Sequence, residues 1–185
     1  MRASHNKKRV REKTNMKTLL AAATAVSLLA IAAPASADVY GSLGYSQSQY
    51  DAPVDADFDE ITGRLGWGGE DKWYGAEAEL SLGLGEERVA GVDYALTSDL
   101  SVFAVAHFDL AESFTVFGRV GYGVTRFEIK PGLDVSGDGP VYGVGAQVNI
   151  GEADGLRLDY TFHDLDTDFA ESPSKWTISW VRRFR

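Results

Sequence analysis

The 185-residue chain carries 18 Lys and Arg against 27 Asp and Glu, a formal net charge of −9, and has no cysteine. The acidic balance argues against nucleic acid as a partner, because phosphate contact needs a basic patch. Without thiols, neither a disulfide framework nor a thiolate metal site can form.

From Met16 to Ala37 the chain reads MKTLLAAATAVSLLAIAAPASA. One lysine precedes a run of apolar and small residues, Leu19 to Ala33, and Ala35-Ser36-Ala37 follows. This is the order of a secretory signal peptide with its A-x-A site. The run is about 15 residues, short of the ~20 that a spanning helix needs. Cleavage is predicted after Ala37, so that 1–37 is the signal peptide and 38–185 the mature domain. The basic stretch 1–15 is either an extended n-region or an extension upstream of a true start at Met16. Removing 1–37 takes away seven of the 18 basic residues and one of the 27 acidic ones, leaving a net charge of −15. What remains is the size of one domain. No second long apolar run follows, so a membrane could be spanned only by a closed β-barrel.

Eight segments of period-2 alternation bounded by turn signals follow in order. The first is Val39–Gln47, with Val39, Leu43 and Tyr45 opposing Ser42, Gly44 and Ser46. In Glu60–Gly68, Ile61, Leu65 and Trp67 oppose Glu60, Thr62 and Arg64. In Trp73–Leu84, Tyr74 and a run of Ala and Leu oppose Glu77, Glu79 and Ser81. Ser98–Asp109 sets Leu100, Val102 and Phe108 against Ser101, His107 and Asp109, with Phe103 and Val105 weakening the polar side. Phe114–Phe127 sets Val116, Val120 and Tyr122 against Arg119 and three small residues, Thr115, Gly121 and Gly123. Val141–Ile150 sets Tyr142, Val144 and Val148 against Gly143, Gly145 and Gln147. Leu156–His163 sets Leu158, Tyr160 and Phe162 against Arg157, Asp159, Thr161 and His163. The last is KWTISWVRRFR, Lys175–Arg185, where Trp176, Ile178, Trp180 and Phe184 oppose Thr177, Ser179 and Arg183. Arg88–Ala95 is ambiguous and fits a hairpin arm.

Short connections (Gly69–Lys72, Leu110–Ser113, Gly151–Gly155) alternate with long ones (Ser48–Asp59, Gly85–Thr97, Glu128–Pro140, Asp164–Ser174). That alternation is the pattern of an outer-membrane barrel, with the long loops outside the cell. The predicted fold is therefore all-β, an eight-stranded antiparallel up-and-down transmembrane barrel. A soluble ligand-binding barrel also alternates. Bulky aromatics near strand ends, glycines on the polar face and a terminal strand free to pair with the first favour the membrane form.

On this parity the lumen holds Glu60, Arg64, Glu77, Glu79, Asp109, Arg119, Arg157, Asp159 and Arg183. Eight strands leave an interior that side chains just fill, so these charges are expected to pair. The expected lipid-facing anchors are Trp67, Phe108, Tyr122, Tyr160, Phe162, Trp176, Trp180 and Phe184. His107 and His163 also point inward, without ligand or catalytic spacing. The acidic loops carry Asp51, Asp55, Asp57 and Asp59, then Asp164, Asp166, Asp168 and Glu171. Their Asp-x-Asp-x-Asp runs begin like a calcium loop but place Glu60 or Phe169 where Gly is required. No metal site, cofactor or catalytic residue is predicted.

The segments GAEAELSLGLG (Gly75–Gly85), VFGRVGYG (Val116–Gly123), VYGVGAQVNI (Val141–Ile150), LRLDYTF (Leu156–Phe162) and WVRRF (Trp180–Phe184) resemble the small outer-membrane β-barrel family, OmpA/OmpX-like and often labelled porin family. The resemblance covers essentially all of 38–185 and is architectural. That family usually ends on the aromatic itself, whereas Arg185 follows Phe184 here. The resemblance implies a Gram-negative cell outer membrane location and assembly by the barrel-assembly machinery. The expected partners are outer-membrane lipid and lipopolysaccharide, and the expected state is a monomer. The expected function is a structural, non-enzymatic envelope barrel. The alternatives are a low-conductance channel for ions or small polar solutes, and a surface adhesion or stress-response module.

Overall fold

A computed structural model describes residues 39–50, 56–69, 72–85, 87–89, 92–129, 133–164 and 173–184. The leader, most of the acidic loop residues and Arg185 lie outside the described residues. Among the described residues there are nine strands: β1 Val39–Tyr50, β2 Ala56–Gly69, β3 Lys72–Gly83, β4 Glu87–Val89, β5 Val92–Ala111, β6 Phe114–Ile129, β7 Leu133–Asn149, β8 Asp154–His163 and β9 Ser174–Phe184. All pairings are antiparallel. β1 pairs with both β2 and β9, and β3 pairs with β5, so eight strands close into a ring. The ninth, β4, pairs with the start of β5 and forms the hairpin arm that the ambiguous segment suggested.

Closure fixes the geometry. Directly paired residues run Val39, Trp67, Ala76, Ala104, Val120, Tyr142, Phe162, Ser174 and back to β1 at Gln49. One circuit thus shifts ten residues, from Val39 to Gln49. With ~3.3 Å per residue and eight spacings of ~4.8 Å, the strands tilt about 40° and the backbone cylinder has a radius of about 8 Å.

The two faces follow the alternation of side chains along each strand. In β8 buried and exposed residues alternate strictly from Gly155 to His163. Outward, Leu43, Leu100, Val102, Val120, Val144, Leu158 and Trp180 are all at least half exposed. Such a continuous exposed apolar surface is suited to lipid rather than water. Inward, Arg157, Lys175, Glu60 and Glu79 are among the largest fully buried side chains. The core is thus polar and the surface apolar. Small residues make the polar core fit. A Cβ at Gly66 would overlap the Tyr40 ring, and one at Gly145 would overlap Phe117.

Three connections are tighter than the alternation implies. Glu128–Pro140 was expected as a long loop, but Tyr122 through Ile129 pair with Pro140 back to Leu133. β5 likewise begins at Val92, not Ser98, and β2 at Ala56, not Glu60. Gly137, Gly139 and Pro140 read as turn residues, yet here the pairing partner and not local preference decides.

Candidate functional site: the charged lumen

Four strands supply the centre of the lumen. Arg64 from β2 donates through Nε to Glu79 on β3 at 2.6 Å and through Nη2 to Asp159 on β8 at 2.9 Å. Arg119 from β6 donates to Glu79 at 2.7 Å and to Asp159 at 2.6 Å, and reaches Glu77 at 3.4 Å and the Thr161 hydroxyl. Arg157 from β8 forks onto both carboxylate oxygens of Glu77, its Nη2 at 3.1 Å, and stands 3.3 Å from Asp159. Each of these pairs except Arg157–Asp159 links different strands, and the six side chains are at most 1% exposed. Planar guanidinium groups bind carboxylates in this forked way, which fixes orientation as well as charge. Two of them also stack: Arg119 lies 4.3 Å from the Phe103 ring centroid and Arg157 3.8 Å from that of Phe117. Desolvation of the cations is thereby shared between carboxylates and ring faces.

Above this level, Lys175 on β9 sits 2.6 Å from Glu79 and 3.4 Å from Asp99, and donates to Ser81 at 3.1 Å. His163 Nδ1 is 3.5 Å from Asp99. Glu60 accepts from Ser48. Over these groups Tyr50, Phe58 and Leu96 cluster with Phe127, and Tyr50 meets Phe58 and Phe127 edge to face at 5.5 and 5.3 Å.

Of the nine charges placed in the lumen by parity, six meet in the central network and Glu60 lies higher. Asp109 and Arg183 lie lower, at the short-turn end. Asp109 is exposed and accepts from Thr115, while half-buried Arg183 and Asp109 together line a cavity of about 570 Å3 at the short-turn end. Their parity is right but their height is wrong: each sits within two residues of a strand end. Three partners escaped the sequence reading. Lys175 and Asp99 fall at the starts of their sequence-predicted strands, although their parity matches that of Thr177 and Ser101. Tyr40, buried among the polar positions of β1, donates to Glu77. The two histidines are far apart: His107 faces Phe117 near the short-turn end, and His163 lies at the opposite end of β8. Among the described residues no group of three His, Cys, Asp or Glu could hold a metal ion.

The eight aromatic anchors all lie on the outer parity. Trp67, Phe108, Tyr122, Tyr160, Phe162 and Trp180 are exposed, and Trp176 and Phe184 are half-buried. Tyr45–Trp176 (5.4 Å), Tyr160–Phe162 (4.9 Å) and Tyr142–Phe162 (5.5 Å) form one belt. Trp67, Tyr74 and Trp73 form another near the short turns.

A family model described as the outer membrane protein beta-barrel domain matches residues 18–184. The chain belongs to that family. It is a β-barrel of the Gram-negative outer membrane, and its short turns face the periplasm. Solved structures show the same fold at low identity. Ail, the attachment invasion locus protein of Yersinia pestis, is 18% identical, with a TM-score of 0.62 over 80% of this chain and 99% of that one. Neisserial surface protein A is 13% identical, with a TM-score of 0.62 over 80% and 97%. The N-terminal barrel of Pseudomonas aeruginosa OprF is 12% identical, with a TM-score of 0.52 over 77% and 96%. No curated protein matches the chain.

Proposed function

We propose that this outer-membrane barrel is a sealed structural element of the envelope, in which a lumenal ion-pair network locks the strands together. The observation that carries this reading is the cross-lumen connection of Arg64, Arg119 and Arg157 to Glu77, Glu79 and Asp159, all buried. In a cylinder of about 8 Å backbone radius, such a network leaves no continuous aqueous path. The aromatic cluster of Tyr50, Phe58 and Phe127 supports closure from the extracellular side. The barrel acts without cofactor or catalysis and as a monomer. Its surroundings are outer-membrane lipid and lipopolysaccharide, into which the barrel-assembly machinery delivers it.

Planar-bilayer recording tests the reading. Wild-type barrels should pass no steady current, and Arg64→Ala should open current steps. Steady conductance through the wild type would overturn the sealed reading in favour of a narrow pore.

A second reading, surface adhesion, is favoured by one observation. β5, β6 and β7 have 20, 16 and 17 residues, against ten for β8, so part of the sheet projects past the barrel. Strands that project past a barrel are suited to strand addition by another chain.

A further inference from the structure

The lipid-facing surface is not uniformly ridged. Between β3 and β7 it contains an apolar trough of about 640 Å3. Its floor is made of the small outward residues Ala104 and Ala106 on β5 and Gly118 on β6. Tyr74 and Trp73 wall it on the β3 side, and Tyr142 and Val144 on the β7 side. The register explains the depression. Tyr74, Ala106, Gly118 and Val144 are direct neighbours across four strands, so two nearly absent side chains lie between two bulky ones. A Cβ built on Gly118 would meet nothing within 4 Å, so the space belongs to the trough and not to barrel packing.

The trough has a length and a polarity. Tyr74 and Tyr142, on its two walls, are separated by three strand spacings and two residues of rise. At the strand tilt this is about 14 Å along the barrel axis. One leaflet contributes about 15 Å of a ~30 Å hydrocarbon core. The lower end lies at the periplasmic turn that carries Lys72. Its ammonium stands 5.2 Å from the Trp67 ring centroid, Trp67 meets Tyr74 at 5.9 Å, and Tyr74 meets Trp73 at 5.4 Å. A cation and three aromatics at the lip of an apolar trough match a phosphate headgroup above an acyl chain.

We propose that this trough is a binding site for one phospholipid of the periplasmic leaflet, with an acyl chain over Gly118 and the phosphate at Lys72. Its position on the periplasmic side selects a phospholipid over lipopolysaccharide, which occupies the other leaflet. The inference rests on the membrane location and is independent of whether the lumen conducts.

Native mass spectrometry of the folded barrel, released from detergent micelles doped with dioleoyl phosphatidylglycerol, tests it. Heat-modifiable gel mobility first establishes that each variant is folded. Wild type should retain one lipid. Gly118→Leu, which fills the floor, should retain none, and Ala106→Leu serves in the same way if Gly118→Leu does not fold. Ala78→Leu, an exposed outward position outside the trough, should still retain one. Lys72→Gln should lower the retained fraction at least about threefold. A wild type without lipid, or filled-floor variants that keep it, would overturn the proposal. So would a dimer that disappears on filling the floor while no lipid is seen.

Discussion

Replacing Arg119 with alanine removes the most connected cation of the lumen. Its guanidinium contacts Glu79 at 2.7 Å, Asp159 at 2.6 Å and Glu77 at 3.4 Å, with no solvent exposure on either side. The remaining cations do not compensate. Four buried cations (Arg64, Arg119, Arg157, Lys175) already face five buried carboxylates (Glu60, Glu77, Glu79, Asp99, Asp159). Loss of Arg119 raises the excess of carboxylate from one to two. Removing one partner of a buried pair costs about 3–5 kcal/mol, because the orphaned charge stays desolvated. With a urea slope of about 2 kcal/mol per molar, the unfolding midpoint should fall by roughly 1.5–2.5 M. The assay is equilibrium urea unfolding in lipid vesicles, followed by the heat-modifiable band and by tryptophan fluorescence. Arg182→Ala is the internal control. Its pair with Asp154, at 3.4 Å, has side chains 54% and 35% exposed, so its loss should cost under about 1 kcal/mol. If Arg119→Ala and Arg182→Ala destabilise equally, the lumenal network does not hold the barrel together.

Two further substitutions probe the faces. Val102 is 56% exposed in the middle of β5, whereas Leu110, 66% exposed, lies at the periplasmic rim. Val102→Arg should cost about 2–4 kcal/mol and Leu110→Arg about 0–1; equal costs in vesicle unfolding would contradict the assigned membrane depth. Gly145→Ala drives a Cβ toward the Phe117 ring, the Leu158 carbonyl and Asp159. It should destabilise by about 1–3 kcal/mol, and a wild-type urea midpoint would show that the lumen is looser than described.

The strand faces were legible in the sequence because period 2 is a local property. Glu77 and Glu79 on β3, or Arg157 and Asp159 on β8, declare their side of the wall by counting alone. Height is different. Whether Arg119 meets Glu79 depends on two consecutive registers, β3–β5 and β5–β6, and the ten-residue shift that closes the ring is set by all eight registers together. Nothing within one strand encodes that shift. This is why Asp109 and Arg183 had the right face and the wrong level, and why Lys175 and Asp99, read as strand margins, belong with Glu79.

The same distinction explains Tyr40 and the glycines. An aromatic at an inward position breaks a simple polar count, so Tyr40 carried no signal beside Ser42, Gly44 and Ser46. Its place becomes intelligible only from Gly66, its cross-strand partner, whose missing side chain is filled by the Tyr40 ring. The hydroxyl then donates to Glu77, the carboxylate gripped by Arg157. Gly145 admits Phe117 in the same manner, and Phe117 in turn carries the Arg157 guanidinium on its face. The lumen is therefore specified in pairs across strands, with a glycine on one strand giving room to the ring on its neighbour. The charges meet where those rings hold them.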